Sequence, residues 1–102
     1  MTREDLNPGA QIAQSCHVVS SFMQEHADIA KEWMENSNYI AVLASKDEQA
    51  LLSLIERAKK KGVKFSIFVE PDLNNALTAV ALEPCPDSKK LCSSFRLALK
   101  NK

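Results

Sequence analysis

Residues 39–69 constrain the fold of this chain more than any other stretch. Tyr39 to Ala44 (YIAVLA) are apolar at every position without alternation, the pattern of a strand buried on both faces of a sheet. Ser45 and Glu48 then form an S-x-x-E capping box. Leu51, Leu54, Ile55 and Ala58 follow at helical spacing until Gly62 ends the helix. From 63 to 69 the apolar residues Val63, Phe65, Ile67 and Val69 alternate, a strand signal. A strand, a capped helix and a strand in that order predict a parallel pair joined by a right-handed crossover, and so an α/β fold.

The flanking segments extend this unit. Asn7-Pro8-Gly9 reads as a turn opening a helix, in which Ile12, Cys16, Val19 and Met23, widened by Ser15, Val18 and Phe22, form the expected buried stripe. Ala10, Gln14, His17 and Ser21 share the opposite side, within roughly 60° of one another. Residues 26–36 continue in helical style with Ile29 and Trp33 apolar, a break near His26 and a stop at Asn36, Ser37 and Asn38. After Pro71 a polar loop leads into Leu77 to Leu82, a second buried-strand run, stopped by Pro84 and Pro86. The tail from Asp87 reads as a short helix, and its end, with Phe95, Leu97 and Leu99 alternating, fits helix or extended chain equally. The expected architecture is one domain over residues 1–102: a three-layer α/β sandwich, with a small mixed four-stranded sheet and helices on both faces.

Several function classes are excluded by what is missing. A chain of 102 residues has no room for a two-domain enzyme. Its longest apolar run is far short of the roughly 18 residues that cross a bilayer, and its charged start does not read as a secretory leader, so a cytoplasmic location is expected. Three cysteines without a CxxC pair point to free thiols in a reducing compartment. Two distant glycines cannot build a phosphate cradle for ATP or a dinucleotide. Cys16, His17 and His26 lack the spacing of a metal site, and GxSxG is absent. Neither metal nor cofactor is expected. The thirteen basic and thirteen acidic residues cancel in sum but not in place: residues 1–50 hold three against eight, residues 51–102 ten against five. The basic run Arg57, Lys59, Lys60, Lys61 and Lys64 fits a phosphate-binding patch, or simply the last turn of a helix, where cations suit the dipole.

Arg3-Glu4-Asp5-Leu6-Asn7-Pro8-Gly9-Ala10-Gln11-Ile12-Ala13-Gln14-Ser15-Cys16-His17 resembles the opening signature of the type-two peptidyl-tRNA hydrolase family. That signature is Arg-x-Asp-Leu, a turn with Gly, then Ala-Gln and a His three residues later. Glu70-Pro71-Asp72 with Thr78-Ala79-Val80-Ala81-Leu82 resembles the loop and strand carrying the family's acidic and threonine positions. Pro84-Cys85-Pro86 resembles its proline-marked exit. The resemblance runs from residue 3 to about 98. It implies a cofactor-independent hydrolase cleaving the ester of peptidyl-tRNA, with tRNA as partner and a homodimer as assembly. The acidic position falls on Asp72 or Glu70, with Asp72 preferred. Ala10 stands where the archetypal branch carries a lysine, so the chain looks more like a divergent branch, and a tRNA-binding or protein-interaction module without catalysis is the alternative. In the family the Arg-x-Asp-Leu motif follows an apolar first strand, whereas here only Met1 and Thr2 precede Arg3. The first strand is therefore expected to be truncated, with marginal stability or a neighbouring chain covering the edge.

Physical chemistry assigns roles beside the resemblance. Hydrolysis of an ester to a ribose hydroxyl needs an activated water, an oxyanion stabiliser and a phosphate clamp. His17 suits the base, since histidine's reference pKa is about 6.5, and Asp72 would orient it or act in its place. Gln14, one turn earlier, would donate to the ester carbonyl or ribose, and Thr78 would supply a hydroxyl. Backbone N–H groups from Gly9 and Ala10 to Gln11 offer an anion site at a helix N-terminus. Arg3 would grip a phosphate, with Glu70, Lys60 and Lys61 as further substrate contacts. Cys16, on the apolar stripe, reads as a buried structural thiol.

Overall fold

A computed structural model describes residues 1–100. The strands are β1 (Thr2–Arg3), β2 (Ala44–Ser45), β3 (Phe65–Glu70) and β4 (Ala76–Leu82). The helices are α1 (Pro8–Glu25), α2 (Ala27–Glu35), α3 (Glu48–Lys61) and α4 (Pro86–Cys92), with a 3₁₀ turn at Pro71–Leu73. The sheet is mixed, in the order β2-β1-β4-β3. β1 runs parallel to β2 and antiparallel to β4, which is antiparallel to β3. β2 and β3, joined by α3, thus run the same way as expected, but β1 and β4 lie between them.

Local signals explain the helix ends. Asn7 caps α1, its Oδ1 accepting from the Ala10 N–H at 2.8 Å, and Pro8 sits where a missing N–H costs nothing. Gly62 closes α3 with φ +69°, a conformation that glycine adopts freely. At the start of α3 the expectation fails: Asp47 is the cap, its Oδ1 accepting from the Ala50 N–H at 3.0 Å. Ser45 lies in β2 and donates to the Asp47 carbonyl. Glu48 reaches across to accept from the Leu77 N–H at 2.8 Å.

α3 packs one face of the sheet. Leu51, Leu54, Ile55 and Ala58 meet Leu77, Val80, Val63 and Leu91, and Met1, Phe65 and Leu82 close the cluster. Leu51 and Leu54 are completely buried, and each such side chain contributes about 1.5–3 kcal/mol. α1 covers the other face with α2 packed against it, yet the buried side of α1 is a quarter turn from the expected stripe. Gln11, Gln14, Val18 and Phe22 point inward, whereas Ile12 is 56% exposed and Cys16 also faces solvent. Gln14 tolerates burial because both ends of its amide find partners, whereas Gln11 donates through Nε2 to the Leu6 carbonyl and keeps its Oε1 buried without a partner among the described residues.

The run 39–44 is also different from its reading. Only Ala44 joins a strand; Tyr39 is 79% exposed and Ile40 and Val42 are exposed too. Asn38, at φ +41°, turns the chain out of α2, and the segment then runs along the rim, where its far side is met by the tail. The Ala44 N–H donates to the Arg96 carbonyl and the Ala98 N–H to the Val42 carbonyl, both at 2.8 Å. The tail is therefore helix first and extended after. β1 is short, as expected, but it is central and not an open edge: Thr2 is fully buried and pairs with both Ala44 and Ala79.

Candidate active site

α1 lies antiparallel on β3, and the contacts form successive rungs. The Gln14 Nε2 donates to Glu70 Oε1 at 2.8 Å. His17 stacks on Phe68, ring centres 4.5 Å apart and planes 12° from parallel. The Ser66 hydroxyl donates to Glu25 at 2.6 Å, and His26 Nε2 lies 3.0 Å from the Phe65 carbonyl oxygen. Between the first two rungs α1 advances about 4.5 Å and β3 about 6.6 Å, but from His17 to Glu25 the helix advances about 12 Å against about 6.6 Å more of strand, so the two elements keep step only at Gln14 and His17.

A break in the sheet register adds Thr78 to the first rung. Pairing passes from Phe68 with Ala79 to Val69 with Leu77, skipping Thr78. This bulge lets Leu77 pack among the α3 side chains while Thr78 turns to α1. The Thr78 hydroxyl donates to Gln14 Oε1 at 2.8 Å, with Phe68 O at 3.3 Å as a weaker acceptor. Thr78 is fully buried and Gln14 nearly so, so this bond is sealed from water. The Gln14 hydrogen bond, then the Asp72 N–H and the charge of His17, hold the Glu70 carboxyl below its ordinary value against the opposing effect of burial.

The structure thus brings Gln14, Glu70, Thr78 and His17 together and leaves other expected residues apart. Asp72 lies exposed in the 3₁₀ turn and reaches this cluster through its backbone, its N–H donating to Glu70 Oε2 at 3.3 Å. Arg3 donates to Asp5 through Nε at 3.0 Å and Nη2 at 2.8 Å, and through Nη1 to the Leu77 carbonyl at 3.0 Å, so much of its fork is occupied. That pairing raises the Arg3 pKa and lowers that of Asp5. At the helix start the cap uses the donors of Ala10 and Gln11, the two residues that follow Gly9: the Ala10 N–H goes to the Asn7 side chain and the Gln11 N–H to the Asn7 carbonyl at 3.0 Å. Lys60 and Lys61 end α3, on the opposite face of the sheet and at the other end of β3 from Glu70, a strand length of about 17 Å away. Phe68 was not singled out by the alternation of Val63, Phe65, Ile67 and Val69. Its signal was that it is the one aromatic residue out of that phase.

The model of the family described as peptidyl-tRNA hydrolase PTH2 matches residues 1–98. The chain belongs to that family. A search of curated proteins finds no match. The family is one of hydrolases acting on peptidyl-tRNA. Among the described residues no helix is long and apolar enough to cross a membrane, and no group of three His, Cys, Asp or Glu side chains is arranged to hold a metal ion.

Proposed function

We propose that this chain hydrolyses the ester joining a peptide, or an N-blocked amino acid, to the terminal ribose of tRNA. The observation that carries this reading is the Thr78–Gln14–Glu70 hydrogen-bond chain beside an exposed histidine, in a member of this family. His17 takes a proton from water as the water oxygen attacks the ester carbonyl carbon. The tetrahedral intermediate collapses by breaking the bond to the ribose oxygen, which takes the proton back from the His17 imidazolium, and the released peptide acid loses its proton to solvent, leaving a peptide carboxylate, a tRNA hydroxyl and a neutral His17. Gln14 has two amide protons: Glu70 accepts one, and the second serves the developing oxyanion. Glu70, kept ionised, favours the imidazolium that His17 becomes. Thr78 is a positioning residue, fixing Gln14 from behind. Of the two acidic candidates the geometry favours Glu70 over Asp72.

Cleavage of N-acetyl-aminoacyl-tRNA by the purified chain tests this reading. Turnover is expected, with His17→Ala lowering kcat by about 10²- to 10⁴-fold, the usual range for loss of a general base. Absence of turnover by folded, nuclease-free wild-type protein overturns it.

A further inference from the structure

His17 is placed to do more than move a proton. One face of its imidazole lies flat on Phe68, and the residue is exposed. A ring supported from beneath and open above is an aromatic step, and successive bases stack on steps of this kind in proteins that bind single-stranded RNA. Its position suits a nucleoside at a chain end. The step lies about one helical turn from Gln14 and two strand residues from Glu70, so a base resting on it leaves its sugar over the hydrogen-bonded cluster.

We propose that the stacked Phe68–His17 pair is the platform for the terminal nucleobase of the tRNA substrate, with His17 offering its face to the base and its in-plane nitrogens to the reaction. This rests on the hydrolase reading for the identity of the substrate. The stacking surface itself is independent of catalysis, because a face and an edge of one ring do different work. Phe68 acts as a positioning residue: it holds the imidazole plane at a fixed tilt, which a lone exposed side chain would lose.

The test uses a short oligoribonucleotide ending in CCA and the same oligomer with an abasic terminal residue, each titrated by fluorescence anisotropy at fixed salt. The wild-type protein is expected to prefer the base-bearing oligomer about tenfold, the effect of one base–aromatic stack. His17→Ala abolishes that preference. His17→Phe keeps it while losing turnover, and Phe68→Ala reduces it. No preference in the wild type, a preference surviving in His17→Ala, or one lost in His17→Phe would each overturn the platform. AMP competing as well as the CCA oligomer overturns the assignment to an RNA end. Turnover of N-acetyl-aminoacyl-tRNA is scored separately: turnover without base preference removes the platform alone, and preference without turnover keeps the platform and removes the hydrolase reading.

Discussion

Glu70 determines which end of Gln14 it meets, and Thr78 holds the other. The carboxylate can only accept, so the Gln14 amide nitrogen turns to it at 2.8 Å, and the Gln14 carbonyl oxygen is left to accept from the Thr78 hydroxyl, also at 2.8 Å and inside the protein. The hydroxyl that completes the arrangement faces α1 because of the bulge that skips Thr78 on β4. Thr78→Val removes the donor and strands the Gln14 oxygen out of water, at a cost of about 1–3 kcal/mol. Urea unfolding measures that loss. With the amide less firmly held, the Glu70 carboxyl should titrate closer to its ordinary value, which carbon-detected NMR reads directly.

The two acidic candidates are separated by substitution. Glu70 accepts from the Gln14 amide and the Asp72 backbone, whereas Asp72 adds its N–H to the arrangement. Glu70→Gln is expected to lower kcat on N-acetyl-aminoacyl-tRNA by about 10²-fold, as loss of a fixed electrostatic group does. Asp72→Asn, which keeps the backbone N–H, should leave turnover within a few-fold. The reverse ranking would move the acidic role to Asp72.

The same carboxyl makes stability depend on acid. Its folded pKa lies below the ordinary 4.5, first through the Gln14 hydrogen bond. The ionised form is therefore favoured by folding. That contribution is complete above the unfolded value and disappears as pH falls through the folded one. Urea midpoints should decline below about pH 4.5, and the decline should be shallower in Glu70→Gln. An unchanged slope would show that Glu70 makes no net contribution.

What could be seen beforehand was what neighbours along the chain decide. Asn7-Pro8 and Gly62 mark helix ends through their own side chains or lack of one, and Leu51, Leu54, Ile55 and Ala58 share a face whatever lies opposite. The inward turn of Gln14 depends on distant partners, Thr78 and Glu70, whereas Gln11 turns to a near one, its Nε2 donating to the Leu6 carbonyl at 2.7 Å. The bulge at Thr78 exists only relative to β3, and no periodicity within β4 contains it. Tyr39 to Leu43 looked like core because composition records hydrophobicity but not how far the helical layers extend. The grouping of Gln14, His17 and Thr78 was legible through family resemblance, while Phe68 emerged only when α1 was laid on β3.

The α3 side of the sheet is where truncation should be most damaging. Leu54 is completely buried among Ala58, Val63 and Leu91, so Leu54→Ala leaves a cavity that both α3 and α4 would have to collapse to fill. A loss of about 2–5 kcal/mol is expected in urea unfolding. Leu52, two residues away on the exposed side of the helix, is the control: Leu52→Ala should fall within about 0.5 kcal/mol of wild type.

Thiol chemistry checks the rotation of α1. Cys16 is exposed, where the apolar stripe placed it inside, and Cys92 is half-buried at the end of α4. Burial pushes the Cys92 thiol pKa up, with the charge of the N-terminal amino group and then that of Arg57 opposing. A smaller fraction of Cys92 is therefore thiolate near neutral pH, and the thiolate is the form that alkylates. Iodoacetamide at about pH 7.5, followed by mass spectrometry of the peptides, should modify Cys16 well before Cys92, with the difference vanishing in denaturant. Protection of Cys16 in the folded protein would mean that α1 packs on the sheet through Ile12, Cys16 and Val19, and that Gln14 does not meet Glu70.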